Sequence, residues 1–380
     1  MPVLAGARMK TILHVIDTTG PGGAETVFID LVSRLPQDRF RSLAVIRGKG
    51  WVYEELQRRG ITPLLLDAKG SFNWRFLRAL YRIIRREHVD LVQSHLLGSN
   101  VYCAMAGWLA RVPVVVTFHG SVDIGARERL KSLKFAAINR GAHAVIAVTD
   151  SLRDELLNRT TLRRDRLRVI YNGIDAARFR KPRADRLRRK YGWPDTALVI
   201  GSLGNIRPAK GYDILLQAAA RLAKESDNCR FVIAGQGKGP LFDELLALRR
   251  ELGLEEVVQF LGFLDDPAEF LANLDLFLSS SVSEGLPLSA IQAMVAGVPV
   301  VATRVGGYVG LIDDRVTGWL VESGNPDALA EGIRSVAADT ELRSRLATAA
   351  RRYAIDTFDI QIMLKAYARQ YEELMGEEQE

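Results

Sequence analysis

Short runs of apolar residues alternate along this chain with longer stretches in which apolar positions recur every three or four residues. Residues 11–16, 43–46, 63–66, 89–93, 112–118 and 144–148 read as buried strands, bounded by polar or turn-forming positions. The intervening 24–34, 52–59, 74–86, 101–110 and 126–140 carry the helical period. Strands that alternate with helices in this way predict right-handed βαβ units and a parallel sheet. The turn residues Tyr171-Asn172-Gly173-Ile174-Asp175, followed by a basic stretch to Lys190 with few apolar positions, predict a linker. The alternation then restarts, with strands at 198–203, 230–234, 257–261, 276–278 and 298–302. Helices are expected between them at 212–223, 240–252, 267–272 and 288–296, with three more at 326–338, 341–353 and 360–374. The fold class is therefore α/β, two Rossmann-like doubly wound parallel sheets in series. The boundary falls near 175/176, and ligands are expected in a cleft at the carboxyl edges.

Composition narrows the class less than charge does. A chain of 380 residues, 48% hydrophobic and 26% charged, is neither disordered nor fibrous. The only cysteines, Cys103 and Cys229, are far apart and match no disulfide framework or zinc ribbon, so a reducing compartment is expected. The first ten residues are too short and too little apolar for a secretory leader, and the longest apolar stretch, 101–118, is broken by Arg111 and Pro113. Residues 1–180 hold 29 Lys and Arg against 16 Asp and Glu, whereas the remainder holds 23 against 29. A basic first half suits anionic lipid or a phosphorylated substrate. An acidic second half argues against a protein that wraps nucleic acid.

Four segments carry candidate chemistry. Gly20-Pro21-Gly22-Gly23-Ala24-Glu25 stands between a strand and a helix, as an anion-approach loop or a tight turn. It is not a dinucleotide fingerprint, and neither is Gly235-Gln236-Gly237-Lys238-Gly239-Pro240, where Pro240 replaces the third glycine. Gly204-Asn205-Ile206-Arg207-Pro208-Ala209-Lys210-Gly211 places two cations three residues apart at a strand end, suited to a diphosphate. In 279–297, Glu284 ends a strand, Gly285 frees the backbone, Pro287 suits a helix start, and Gln292 lies about two helical turns further on.

Together GPGGAE (20–25), TFHG (117–120), NIRPAKG (205–211) and SEGLPLSAIQAMVAGVPVVA (283–302) resemble retaining GT-B glycosyltransferases of family 4. The resemblance spans most of the chain and implies transfer of a sugar from a nucleotide-diphosphate donor to a hydroxyl of a glycan or lipid-linked acceptor. It implies that residues 1–175, joined by a returning C-terminal helix at 358–380, form the acceptor side, and that 176–357 bind the nucleotide sugar. Glu284 would contact the donor sugar, and the amides of Gly285 and Leu286 its phosphates. Arg207 and Lys210 would balance the leaving diphosphate. His119 would touch the transferred sugar and the acceptor, and the Gly22-Gly23 loop would close over them. Asn205, Gly235 and Gly237 would line the donor. Phe263 falls where relatives hold the base by backbone contacts, although its side chain also reads as a core aromatic. Where the family usually has a second ribose-binding Glu this chain has Gln292, and Asn205 stands where many relatives have Arg.

Asp-x-Asp is absent from the sequence, so no divalent metal is expected and no cofactor beyond the donor substrate. Basic, aromatic-bearing segments at 74–86 and 125–140, with Arg127, Lys131 and Lys134, suggest peripheral contact with an anionic membrane. The expected place is the cytoplasm, at the inner face of the cytoplasmic membrane, in polysaccharide or envelope-glycan synthesis. Two other readings stay open: a non-catalytic nucleotide-sugar binder or scaffold, favoured by Gln292 and Asn205, and a nucleotide-sugar 2-epimerase. Nothing in the chain reads as a nucleic-acid module.

Overall fold

A computed structural model describes residues 8–67, 73–120, 130–225 and 228–376. The chain divides into two compact units, 1–173 with 361–380, and 174–360. The first is built on a parallel seven-stranded sheet of β1 (Lys10–Ile16), β2 (Phe40–Ile46), β3 (Leu64–Leu65), β4 (Leu91–His95), β5 (Val114–Phe118), β6 (Ala144–Ala147) and β7 (Leu167–Val169), in the order β3-β2-β1-β4-β5-β6-β7. The second is built on a parallel six-stranded sheet of β8 (Leu198–Leu203), β9 (Cys229–Ala234), β10 (Val258–Gly262), β11 (Leu276–Ser279), β12 (Val300–Thr303) and β13 (Trp319–Val321), in the order β10-β9-β8-β11-β12-β13. Both are the doubly wound Rossmann-like sheets that the alternation predicts. Their central strands are buried on both faces, which is why they read as continuous apolar runs.

Strand order reverses between β1 and β4 in one sheet and between β8 and β11 in the other. At such a point the helices leave toward opposite faces, and a crevice opens beyond the carboxyl ends of the strands. The C-terminal helix Ile360–Met375 belongs with the first unit, where Tyr367 and Tyr371 are fully buried and the Gly173 amide donates to Met363 Sδ at 3.1 Å.

Several elements depart from the sequence expectation. The basic stretch expected as linker contains the helix Arg186–Tyr191, held by the buried Arg188 guanidinium, which bonds the Ala197 carbonyl and Asp275. Helices Asp150–Arg159 and Gly306–Leu311 and the edge strands β7 and β13 are additional. The helix expected at 126–140 is seen over Lys131–Gly141, and its first residues, with Arg127, lie outside the described residues, as do the start of the chain and 377–380.

Candidate active site

In the second unit, Asn205, Arg207, Lys210 and Glu284 stand on the strand-end loops at the crevice between β8 and β11, while Gly235 and Phe263 follow the neighbouring β9 and β10. β8 runs into Gly204 and Asn205, and a single tight turn over Pro208–Lys210 brings Lys210 back toward the end of β11. Beyond β11, the Ser280 hydroxyl donates to the Lys210 carbonyl at 2.9 Å, and the Val282 amide donates to the Ala209 carbonyl at 2.8 Å. These bonds fasten the two strand-end loops together. The Lys210 ammonium thereby pairs with Glu284 Oε1, which also accepts from the Ser281 hydroxyl at 3.0 Å. Both side chains are mostly shielded, so the pair is stronger than an exposed one. Arg207, in the same turn, is exposed.

The Glu284-Gly285-Leu286 turn is clamped from behind by Gly306-Gly307. The Gly307 amide donates to the Glu284 carbonyl at 3.0 Å. A side chain on Gly307 would lie 1.5 Å from the Gly285 carbonyl oxygen, and one on Gly306 2.3 Å from that of Glu284, so only glycine lets the two segments approach. Gln292 is half-buried on the following helix, Leu288–Ala296. Asn205 Oδ1 accepts from the Gln236 amide at 3.0 Å, tying the β8 loop to the β9 loop. Gly235, at φ +153°, would place a side chain 2.0 Å from the Gly204 carbonyl oxygen. Gly237 packs against Ile206 and Phe242, and Phe263, just past β10, is 42% exposed rather than core. Tyr212 donates to the Gly204 carbonyl at 2.8 Å. Burial raises the pKa of its phenol, and raises that of Tyr308, beside Glu284, well above the ordinary range.

In the first unit, His119 stands just beyond β5, and its Nε2 lies 2.9 Å from Nδ1 of His95, the last residue of β4. Burial pushes the His119 pKa down to about 3 and holds His95 well below the usual imidazole range, so both rings are neutral at pH 7. Gly22 begins the helix Gly23–Arg34 in extended conformation. The Thr26 amide donates to the Gly22 carbonyl at 3.0 Å, and Glu25 folds back so closely that a side chain on Gly22 would meet its carboxylate at 2.3 Å. Sequence reading passed over His95, Gln93 and Asp17. Asp17 follows β1 at the strand-order reversal and touches Gly98; burial raises its pKa, partly opposed by backbone hydrogen bonding and the charge of Arg47. The available signal was polar residues at alternate places in, or just past, otherwise apolar strands. Among the described residues no three His, Cys, Asp or Glu side chains are grouped to hold a metal ion.

Comparison with known proteins identifies the family and the fold. Residues 21–178 match the family model described as Glycosyltransferase Family 4, and 183–353 match Glycosyl transferases group 1. Alpha-D-kanosaminyltransferase of Streptomyces kanamyceticus is 32% identical over 300 residues, 74% of this chain and 76% of that one. N-acetyl-alpha-D-glucosaminyl L-malate synthase of Bacillus anthracis is 29% identical over 303 residues, 78% of each chain. The Anabaena HepE crystal structure with UDP and glucose superposes with a TM-score of 0.84 at 26% identity, covering 96% of this chain and all of that one. The two sheets and these matches define a glycosyltransferase with the GT-B fold. The chain belongs to glycosyltransferase family 4.

Proposed function

We propose that this enzyme moves a sugar from a nucleotide-diphosphate donor to a hydroxyl acceptor with retention of anomeric configuration and without a metal. The observation that carries the reading is the Lys210–Glu284 pair at the crevice of the second sheet, beside the exposed Arg207. In this reading the Glu284 carboxylate holds sugar hydroxyls. The two cations and the amides of Gly285 and Leu286 supply fixed charge and dipoles for the departing diphosphate, the role a metal fills elsewhere. UDP-glucose is the first donor to test, because the Anabaena structure holds UDP and glucose. Gln292 keeps one acceptor oxygen and adds a donor, which still suits a ribose diol.

A panel of nucleotide diphosphates and their sugars, read by thermal shift and by slow release of nucleotide diphosphate without acceptor, tests this. The preferred donor is expected to raise the melting temperature and to be hydrolysed at an unchanged rate in chelator. Binding without hydrolysis would leave a nucleotide-sugar binder, and strict dependence on added Mn would overturn the metal-free mechanism.

A lipid-linked acceptor is favoured by one surface of the first unit. The helix Trp74–Arg86 buries Phe76, Leu77, Leu80, Ile83 and Ile84 and exposes Arg75, Arg78, Arg82, Arg85 and Arg86 beside Trp74, which is 61% exposed. The helices Leu97–Ala110 and Lys131–Gly141 pack in succession alongside, with Trp108, Leu109 and Leu133 open to solvent. None of the described helices is long and apolar enough to cross a membrane, so contact would be peripheral. At about 1 kcal/mol per basic residue near an anionic leaflet, the protein is expected to co-sediment with phosphatidylglycerol vesicles at low salt. It should be released as salt rises; no binding at low salt would remove this part of the reading.

A further inference from the structure

Behind His119 runs a line of buried polar side chains that the chemistry above does not use. Gln93 and His95, two residues apart in β4, point to the same face of the sheet and are fully buried. Gln93 Nε2 lies 3.1 Å from the Ser94 carbonyl oxygen and 2.9 Å from Thr117 Oγ1. A carbonyl only accepts, so that end of the side chain is the amide nitrogen. The other end, Oε1, then accepts from the Tyr371 hydroxyl at 3.1 Å, and Tyr367 meets Thr117 Oγ1 at 3.2 Å. Both tyrosines belong to the C-terminal helix.

The same Gln93 nitrogen lies 3.4 Å from His95 Nε2, and His95 Nδ1 lies 2.9 Å from His119 Nε2. The amide nitrogen has two hydrogens for these three contacts and accepts from none, so one N–H is shared between the Ser94 carbonyl and His95 Nε2; a proton on His95 Nε2 would face that nitrogen with no acceptor, and the ring proton therefore resides on Nδ1. That proton is donated to His119 Nε2, which leaves the His119 proton on Nδ1. We propose that Gln93 and His95 are positioning residues that fix the tautomer of His119, holding it as an Nδ1–H donor, with Tyr367 and Tyr371 anchoring the chain of bonds. Burial keeps the imidazoles neutral, the condition under which a tautomer exists to be chosen. The tautomer follows from the hydrogen bonds alone; its value to transfer rests on the reading that His119 touches the sugar.

Two measurements separate these levels. In the full-length protein, ¹⁵N-histidine NMR is expected to show His119 protonated at Nδ1 and not at Nε2; the opposite tautomer overturns the proposal without any variant being made. Kinetically, His95→Asn keeps an amide donor near the place of Nδ1, whereas His95→Leu does not. His95→Leu is expected to lower kcat by about 10- to 100-fold with donor KM within about twofold, and His95→Asn to recover most of that loss. Equal losses in both, or a change confined to KM, overturn the positioning role. Turnover undiminished in His119→Ala would defeat the underlying reading of His119, and the NMR result distinguishes that failure from failure of the relay.

Discussion

Replacing Arg207 and Lys210 together with alanine is expected to reduce turnover by ~10³-fold, since in the proposed mechanism each cation gives a charge-assisted bond of roughly 1.5 to 3 kcal/mol to the charge that grows on the leaving diphosphate. The two single changes should not be equal. Arg207 is exposed, and its loss removes one attraction only. Lys210 is the partner of Glu284, whose side chain is 14% exposed, so Lys210→Ala removes a cation and also bares a shielded carboxylate. The incoming diphosphate then meets like charge where it met a neutral pair. Lys210→Ala should therefore weaken nucleotide diphosphate binding more than Arg207→Ala. Adding Glu284→Gln to Lys210→Ala should restore part of the binding while leaving turnover low, because the sugar has lost its carboxylate. Isothermal titration with UDP alongside single-turnover kinetics reads both quantities. Unchanged turnover in a folded Arg207→Ala, Lys210→Ala double variant would remove the electrostatic account, and equal single effects would remove the role given to the pair.

Legibility of the chain followed the size of each local signal. Where proline and a polar cap mark a helix start, sequence and structure coincide: Asn325 accepts from the Asp327 and Ala328 amides, Pro326 takes the first helical place, and the helix runs to Ala338 as expected. The short helix Arg186–Tyr191 was hidden because its one buried side chain is Arg188, anchored by Asp275, and an arginine carries no hydrophobic period. β7 and β13 are three residues each, too short to show alternation. Gly306–Leu311 holds three glycines and has poor helix propensity; tertiary contact with the Glu284-Gly285 turn sets its start, which no local window contains. The same limit applied to the site. Motif spacing picked out Lys210 and Glu284 separately, but their pairing and the Gln93–His95–His119 line depend on which strands lie side by side.

Acidification should destabilise the first unit through its buried histidines. His14, in β1 opposite Gln93, is fully buried, and neither ring nitrogen has a hydrogen-bond partner among the described residues. Burial pushes its pKa down to about 3 from the ordinary 6.5, and the nearby His95 is depressed in the same direction, partly by the charges His14 and His119 would carry. The folded-state value lies below the unfolded one, so the unfolded chain binds the extra proton. The stability present above pH 6.5 is lost progressively as pH falls toward 3. At about 1.4 kcal/mol per pH unit, His14 alone removes ~2 kcal/mol between pH 6.5 and pH 5, and His95 adds to it. Urea midpoints measured at pH 7, 6 and 5 should fall accordingly at constant slope. His14→Leu replaces an unsatisfied ring by an apolar side chain of similar volume, so it should cost little at pH 7 and flatten the acid limb. An acid limb unchanged in His14→Leu would show that the lost stability lies elsewhere, in the paired carboxylates that protonate at lower pH.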